Sequence, residues 1–196
     1  MKKVILASAS PRRRELLSSV CSSFEILTAP TDEELESGIH PRDGVRILAE
    51  RKGEAVYKLH PELADAYIVS SDTLVEADGV ALGKPRDAER AVQMLKMLSD
   101  RRHNVHTGIA VRLGDRVVSG VATTGVYFRQ LEEKEIAEYV ASGDPMDKAG
   151  SYGIQSGGGR FVEKIEGDYD TVVGFSLTLL KELFKEIGGI DSLDRN

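Results

Sequence analysis

The chain has 196 residues, enough for one substantial domain or for two small lobes that share a cleft. Its 41% hydrophobic and 30% charged residues exclude an intrinsically disordered protein, and a net charge of −6 argues against a nucleic-acid binder that works through bulk charge. One cysteine, Cys21, cannot form an internal disulfide, and no segment reaches the roughly 20 apolar residues of a membrane span. We therefore expect a cytoplasmic protein with neither a nucleic-acid nor a membrane partner.

Strands and helices are mixed along the whole chain. Apolar runs predict strands over residues 2–8, 23–29, 67–71, 105–113, 117–129 and 161–166. Helical spacing and start signals predict helices over residues 12–20, 43–59, 87–98, 132–141 and 178–187. Asp78-Gly79 predicts a hairpin turn. This order predicts an α/β or α+β fold with a mixed sheet, as a single domain over residues 1–187 with a flexible tail over 188–196.

Hydroxyl and arginine side chains follow the first predicted strand. Ser8 and Ser10 precede a helix that begins near Pro11 and carries Arg12 and Arg13 in its first turn. The N–H groups of a helix N-terminus, hydroxyl donors and guanidinium groups together suit phosphate oxygens. The alternative is a solvated basic turn, although cations near a helix N-terminus do not favour stability. From these residues alone, both interpretations stay open.

An acid follows the predicted strand that begins at residue 67. In Ser71-Asp72-Thr73 the carboxylate could hold a metal ion or accept a proton from water, although a turn-forming aspartate is the commoner explanation. Lys84 lies across the proposed hairpin, and Lys52 lies among apolar residues of an earlier helix. Each lysine alone is most simply a surface residue. Together with the arginine pair, they predict a polyphosphate–metal site.

Three further polar segments contain residues that could belong to a binding or metal site, but their patterns are not specific for one. Gln155 is framed by turn residues, and its amide can donate and accept as a base-reading group must, but from the residues alone an ordinary loop with a polar side chain is the preferred explanation. The acidic run over residues 31–36 is typical of a solvated helix start, although one of its acids could share the metal. His103 and His106 have a zinc-like spacing, but residues three apart on a strand point to opposite faces, so we interpret both as structural.

Taken together, these segments resemble the Maf family, also called septum formation inhibitor proteins, which are nucleoside triphosphate pyrophosphatases. The blocks that carry the resemblance occur in family order from about Val4 to Lys181. They are L-A-S-x-S-P-R-R-x-x-L-L at residues 6–17, S-D-T at 71–73, G-K-P at 83–85, the helix end M-L-S at 97–99, H-x-V-x-T-G at 103–108, D-K-A-G-S-Y-G-I-Q at 147–155, and G-D-Y and V-V-G at 167–169 and 172–174. Several dispersed blocks in the right order are far more specific than any single motif.

The resemblance implies a mixed-sheet α/β fold related to the inosine triphosphatase-like proteins, with two lobes around a central cleft. It also implies a homodimer as one assembly open to the chain, because members of the family often form one. It implies Mg²⁺- or Mn²⁺-dependent hydrolysis of a nucleoside triphosphate to the monophosphate and pyrophosphate, as housekeeping of the nucleotide pool. By position, Asp72 matches the family's proton acceptor, and positions linked to substrate choice are Arg12, Thr73 and Gln155. We assign phosphate binding to Ser8, Ser10, Arg12, Arg13, Lys52 and Lys84, and metal binding to Asp72 and Glu33.

The late block bears on the choice of substrate. The stretch Tyr152 to Gln155 resembles the branch of the family that acts on dTTP and UTP, and the Gln155 amide could complement the O4 acceptor and N3–H donor of a pyrimidine. Two departures from the family pattern are Gly174-Phe175-Ser176 where G-L-P is usual, and Ser156 where glycine is common. The rival hypotheses are a pyrophosphatase for 7-methyl-GTP or another modified purine triphosphate, and a nucleotide-binding regulator of cell division.

Overall fold

The computed structural model describes residues 2–195 and contains a mixed sheet with flanking helices. The strands are β1 (Val4–Leu6), β2 (Glu25–Ile26), β3 (Tyr67–Ala77), β4 (Val80–Leu82), β5 (Arg102–Leu113), β6 (Arg116–Phe128) and β7 (Val162–Glu166). The α-helices are α1 (Pro11–Val20), α2 (Pro41–Leu59), α3 (Ala88–Leu98), α4 (Glu133–Ala141), α5 (Tyr169–Val173) and α6 (Leu177–Ile187). Among these described residues, no helix is long and apolar enough to cross a membrane.

The strands form one sheet in the order β2-β1-β3-β5-β6-β7, with β4 paired to β3. β1 is parallel to β2 and β3, whereas the β3–β4 and β6–β7 pairs are antiparallel. The predicted mixed-sheet α/β class is therefore confirmed. The chain divides into two compact units, the first formed by Met1–Asp72, Thr107–Ala122 and Gly174–Asn196, the second by Thr73–His106 and Thr123–Val173. Strands β3, β5 and β6 contribute residues to both units.

The first unit is built around β1 and α6. All three residues of β1 are buried, as a continuous apolar run between two parallel neighbours requires. Helix α6 buries Leu180, Leu183, Phe184 and Ile187, which lie on one face of the helix. The main core of this unit consists of Val4, Leu6, Leu17, Val20, Cys21, Tyr67, Val69, Ile109, Val111, Val118, Phe175, Leu180, Leu183, Phe184 and Ile187. The apolar face of α6 thus joins residues that are distant in sequence.

The second unit is built around α3, α4 and the aromatic residues between them. Asp87 caps α3 by accepting a 2.7 Å hydrogen bond from the backbone N–H of Arg90, which satisfies one of the first-turn donors. The core consists of Val75, Ala77, Leu82, Ala91, Met94, Leu95, Leu98, Val105, Val126, Phe128, Leu131, Ile136, Tyr139, Val140, Tyr152 and Phe161. Tyr152 of this core lies three residues before Gln155 in the chain.

The predicted hairpin and the predicted acidic helix start have different outcomes. Asp78 and Gly79 adopt φ values of +52° and +77° between β3 and β4, the backbone that a two-residue hairpin turn requires, so this prediction is confirmed. Residues 31–36 do not form a helix start. The Arg51 guanidinium donates to the Glu34 carbonyl at 2.6 Å, and Asp32 Oδ1 accepts from the Glu34 N–H at 2.9 Å. Local side-chain bonds therefore hold this run in an irregular conformation.

Residues 188–195, predicted as a flexible tail, are bonded to the end of α1. The backbone N–H of Ser22 donates to Asp194 at 2.7 Å, and the N–H of Arg195 donates to the Val20 carbonyl at 3.1 Å. The Arg195 guanidinium donates to the Ser18 carbonyl at 2.7 Å. The sequence does not predict these contacts, because they join residues more than 170 positions apart.

Candidate active site

Three charged side chains meet at the middle of β3. The Lys52 ammonium lies 2.5 Å from Asp72 Oδ1 and 2.7 Å from Glu33 Oε1. The side chains of Lys52 and Asp72 are only 19% and 13% exposed, whereas that of Glu33 is 62% exposed. One cation therefore lies between two carboxylates in a largely sheltered place, where electrostatic interactions are stronger than in water. These are three of the residues predicted for the site, and the structure brings them together.

Close packing of α2 on β3 places Lys52 beside Asp72. Gly53 lies so near the strand that a Cβ atom there would be 2.8 Å from Ser70 Oγ. The Ser70 hydroxyl donates to the Ala49 carbonyl at 2.6 Å, which joins the strand to the helix. Glycine thus permits an approach that a side chain would prevent. The long, flexible side chain of Lys52 then reaches Asp72, two residues beyond Ser70.

Arg13 holds the strand end that precedes Asp72. Its Nη1 donates to the Ser71 carbonyl at 2.7 Å, and its Nε donates to the Gly174 carbonyl at 3.0 Å. The Ser71 hydroxyl donates to the same Gly174 carbonyl at 3.2 Å. Burial lowers the pKa of Arg13 from its ordinary value, and the charge of Asp72 opposes this effect. The structure thus gives Arg13 protein partners in addition to the phosphate role that the sequence predicts.

The other predicted residues of the first segment lie around the start of α1. The backbone N–H of Ser10 donates to Ser8 Oγ at 3.2 Å, and Arg13 Nη1 is 3.4 Å from the same oxygen. Ser10 is the N-cap residue, and Arg12 lies in the first helical turn after Pro11. A helix start with basic residues in its first turn has the donors that phosphate requires. Phosphate binding by these residues stays a prediction.

The remaining predicted residues, Thr73, Lys84 and Gln155, belong to the second unit. Thr73 follows Asp72 directly in β3, whereas Lys84 is exposed just beyond β4. The N–H of Gly150 donates to the Gly83 carbonyl at 3.1 Å, so the Lys84 segment is bonded to the late block. Gln155 is exposed in a turn of that block. Their roles in binding a nucleotide stay predictions.

The turn that carries Gln155 is bonded to a group that sequence reasoning missed. Asp144 Oδ2 accepts a hydrogen bond from Ser156 Oγ and another from Tyr139 Oη, each at 2.6 Å. Burial and the Asp144 carboxylate raise the pKa of the Tyr139 phenol, so this group stays protonated and donates. The sequence signals for this cluster are the departure at Ser156 and an aspartate that directly follows Gly143.

His103 lies inside the aromatic core of the second unit. Its Nε2 lies 2.8 Å from Tyr152 Oη, and its ring packs edge-to-face on Phe128 with centroids 4.9 Å apart. Burial lowers the pKa of His103 to about 3, and the charge of Arg102 adds to this shift. The imidazole is therefore neutral at pH 7, as befits a structural residue.

His106 is bonded on both sides. Its Nδ1 lies 2.8 Å from Thr123 Oγ1, and its Nε2 lies 3.3 Å from Glu76 Oε2. A hydrogen bond from Asn104 lowers the pKa of Glu76 against the opposing effect of burial, with smaller contributions from the Gly79 N–H and His106. Both histidines thus serve packing and hydrogen bonding.

The donor set at β3 fits a divalent metal of the oxygen-binding kind. Asp72 and Glu33 are carboxylates that already share one cation, the Lys52 ammonium. Within residues 2–195 there is no group of three or more histidine, cysteine, aspartate or glutamate side chains that could hold a metal. Mg²⁺ typically binds through one or two carboxylates and completes its shell with water and substrate phosphates. Two carboxylates therefore suit a metal that arrives with a polyphosphate.

Comparison with known proteins gives consistent matches over nearly the whole chain. Residues 3–187 match the family model described as Maf-like protein. A relative from Pelotomaculum thermopropionicum is 43% identical over 190 residues, which cover 96% of this chain and 98% of that protein. One from Photorhabdus laumondii is 45% identical over 183 residues, 93% of each chain. Both relatives, and one from Geobacillus at 43% identity, are named dTTP/UTP pyrophosphatase.

A solved structure shares the fold at low sequence identity. The Staphylococcus aureus Ham1 protein matches with a TM-score of 0.50 and 15% identity, over 97% of this chain and 95% of that one. At this identity the likeness concerns the fold alone. It agrees with the mixed α/β architecture described above.

Proposed function

This chain belongs to the Maf-like family, and on that premise we propose that it hydrolyses nucleoside triphosphates, preferably dTTP and UTP, to the monophosphate and pyrophosphate. The names of relatives at 43–45% identity support both the reaction and the substrates. The structural observation that carries the proposal is the sheltered cluster of Asp72, Lys52 and Glu33. Its charges and donor types suit a metal-bound polyphosphate.

Lys52, Lys84, Arg12 and the hydroxyls of Ser8 and Ser10 neutralise and orient the triphosphate in this proposal. Lysine contributes a point charge and arginine a planar fork of donors, both of which bind phosphate oxygens. Lys52 also orients the Asp72 carboxylate through their 2.5 Å contact. Fixed positive charge of this kind stabilises the charge that develops on phosphate oxygens in the transition state.

Arg13 has a double role in the proposed mechanism. Its bonds to the Ser71 and Gly174 carbonyls fix the backbone immediately before Asp72. A misplacement of about 1 Å at a reacting group can cost on the order of a hundredfold in rate, so this support matters even though it acts through the backbone. Its positive charge also adds to the field that attracts phosphate.

Asp72 and Glu33 would hold the divalent metal, which we propose to be Mg²⁺ or Mn²⁺. When bound, such an ion supplies positive charge to phosphate oxygens. Asp72 accepts a proton from the attacking water, whose oxygen bonds to phosphorus as the α–β anhydride bond breaks. The electron pair of that bond leaves with the pyrophosphate or monophosphate oxygen. Glu33, the more exposed acid, would help to keep the metal near Asp72.

Arg12, Thr73 and Gln155 select the base in this proposal. The Gln155 amide offers an N–H donor and a carbonyl acceptor, which complement the O4 acceptor and N3–H donor of uracil and thymine. Base selectivity therefore depends on a side chain that lies in the second unit, in a turn of its own. The cytoplasmic location, the homodimer and the absence of nucleic-acid and membrane partners stay predictions from the sequence.

The experiment that tests the function is an assay of the purified chain with Mg²⁺ or Mn²⁺ and a panel of nucleoside triphosphates. Pyrophosphate and free phosphate are measured separately, and we expect pyrophosphate from dTTP and UTP. Pyrophosphate from 7-methyl-GTP or another purine in preference would keep the reaction and refute the proposed role of Gln155. Release from no nucleotide with either metal would overturn the proposal in favour of a nucleotide-binding regulator.

A further inference from the structure

We propose that Asp144 is a positioning residue for base selection, because it anchors the turn that carries Gln155. This inference rests on the function proposed above and names the group that holds its base-reading amide in place. Gln155 is exposed, so solvent surrounds much of its side chain. The direction of its amide therefore depends on how firmly the backbone of the turn is held.

One carboxylate oxygen holds the turn from both sides. On the far side of Gln155, Ser156 Oγ donates to Asp144 Oδ2 at 2.6 Å. On the near side, the Gly153 N–H donates to Tyr139 Oη at 3.2 Å, and Tyr139 Oη donates to the same Oδ2 at 2.6 Å. The turn closes on itself through the Ser156 N–H and the Gly153 carbonyl, 3.2 Å apart. Both residues that bracket the Ile154-Gln155 pair are thus tied to Asp144.

The charge of the anchor is itself maintained. Lys148 Nζ donates to Asp144 Oδ1 at 3.0 Å and to the Asp144 carbonyl at 2.6 Å. Burial alone raises the pKa of Asp144, but the hydrogen bonds from Ser156, Tyr139 and Lys148 outweigh it and lower the pKa. An ionised acceptor makes hydrogen bonds roughly twice as strong as a neutral one. Asp144 therefore stays ionised and fully bonded at neutral pH.

The two glycines after the turn, Gly158 and Gly159, pack closely against it. A Cβ atom at Gly158 would lie 2.9 Å from both the Gly153 nitrogen and Tyr139 Oη. A Cβ atom at Gly159 would lie 2.4 Å from the Ile154 carbonyl oxygen. The backbone of residues 158 and 159 therefore packs directly against the turn, and a side chain at either position would displace it.

The hydroxyl of Ser156 forms one arm of this anchor. Glycine at this position would have no hydroxyl with which to reach Asp144. The serine adds a second direct bond to an oxygen that Tyr139 already holds. The Ser156→Gly substitution thus removes one arm of the anchor, at an exposed position, without changing the charge.

The test measures selectivity as the ratio of kcat/KM for dTTP to kcat/KM for dCTP. Cytosine presents an amino donor where thymine presents the O4 acceptor, so this ratio reports how well the Gln155 amide is aimed. We expect Asp144→Asn to lower the ratio about tenfold and Ser156→Gly or Tyr139→Phe to lower it about threefold, with kcat for dCTP changed less than twofold. Matched controls are Asp115→Asn in an exposed turn of the first unit and Tyr127→Phe, whose hydroxyl bonds Glu166 at the surface. Neither control should change the ratio.

The double variant with Gln155→Ala identifies the path of the effect. If Asp144 acts through Gln155, Asp144→Asn should cause no further loss of selectivity in the Gln155→Ala background. A full tenfold further loss there, or an unchanged ratio in Asp144→Asn and Ser156→Gly, would overturn the inference. If Asp144→Asn does not fold, the exposed Ser156→Gly variant decides the question. A wild-type protein that does not prefer dTTP to dCTP would instead overturn the proposed function.

Discussion

The Asp72 cluster in the first unit and the Asp144 cluster in the second use the same residue type in opposite ways. At Asp72, one lysine lies between two carboxylates, and the bonds are between side chains that could exchange partners with a substrate. At Asp144, the carboxylate binds two hydroxyl groups and a lysine, and one of the hydroxyls holds a backbone N–H. Asp72 can therefore exchange its partner for a substrate or metal, whereas Asp144 serves to hold the backbone of the turn in place.

This difference suggests that the rate of the reaction and the choice of substrate depend on different clusters of the same protein. If the proposed function holds, a change in the Asp72 cluster, whose bonds join only side chains, should alter the rate of the reaction. A change at Asp144, whose bonds hold one turn, should alter which substrate is preferred. Mutations in the two places should therefore alter different kinetic quantities, and the predictions below test that separation in order of expected effect.

Asp72→Asn should have the largest effect. The amide cannot accept a proton from water as the carboxylate does, so we expect kcat for dTTP to fall on the order of 10³–10⁴-fold while the free energy of unfolding changes little. Steady-state kinetics and urea unfolding measure the two quantities. Asp65→Asn, an exposed acid paired with Lys2, serves as the control and should retain full activity. A kcat within tenfold of wild type would refute the assigned role of Asp72.

Lys52→Gln should have the next largest effect. Loss of a charge that both orients Asp72 and faces the phosphates should lower kcat/KM about a hundredfold for dTTP and dCTP alike. The matched control is Lys58→Gln in the same helix, where the lysine pairs with Glu54 at the surface. If Lys52→Gln changed the dTTP/dCTP ratio as strongly as the rate, the separation between the two clusters would fail.

Gln155→Ala should have a smaller effect, which changes the choice of substrate and leaves the rate on dCTP nearly unchanged. We expect the preference for dTTP over dCTP to fall by about ten- to a hundredfold, because a site built to hydrogen-bond a base loses its discrimination with the bonding group. Hydrolysis of dCTP should stay within a few-fold of wild type. A uniform loss of rate on both substrates would show that Gln155 belongs with the catalytic group and not with base selection.

His103 should affect stability at acid pH and leave activity at neutral pH unchanged. Its folded pKa of about 3 lies below the unfolded value near 6.5, so the unfolded chain binds the proton more tightly. The stabilising contribution is therefore complete above pH 6.5 and is lost as the pH falls from there towards 3, by up to about 1.4 kcal/mol per pH unit. Urea unfolding of wild type and His103→Gln from pH 7 to pH 5 should show a steeper decline for wild type. Parallel curves would contradict this account.

The elements that the sequence predicts well are those fixed by local pattern. Helix α3 has its cap at Asp87 and a regular apolar spacing, and the Asp78-Gly79 turn has the φ values that its residues favour. Both lie within a residue of their predicted place. The grouping of Asp72 with Lys52 is also foreseen, because an acid at a strand end and basic residues in other segments suggest one shared ligand. Glu33 is named only through the family resemblance, since the acidic run by itself does not indicate which acid joins the site.

The parts that the sequence does not predict depend on contacts between distant or irregular segments. Residues 31–36 are irregular and not helical, because Arg51 from another segment bonds the Glu34 carbonyl. The short helix α5 has no apolar period long enough to detect. The hydrogen bonds of Asp144 join helix α4 to the turn that contains Ser156. The amino-acid sequence of this stretch does not indicate which of its acidic residues makes such bonds.

The location of α6 has a consequence for how the protein is made. Its residues Leu180, Leu183 and Phe184 share a core with Val4 and Leu6 of the first strand, so the earliest and the latest segments complete the same unit. Every stretch of the second unit, by contrast, precedes residue 174. A chain leaves the ribosome with its N-terminus first. All residues of the second unit are therefore synthesised before the last stretch of the first unit, which starts at Gly174. The Asp72 cluster therefore acquires its complete support only after helix α6 has been synthesised.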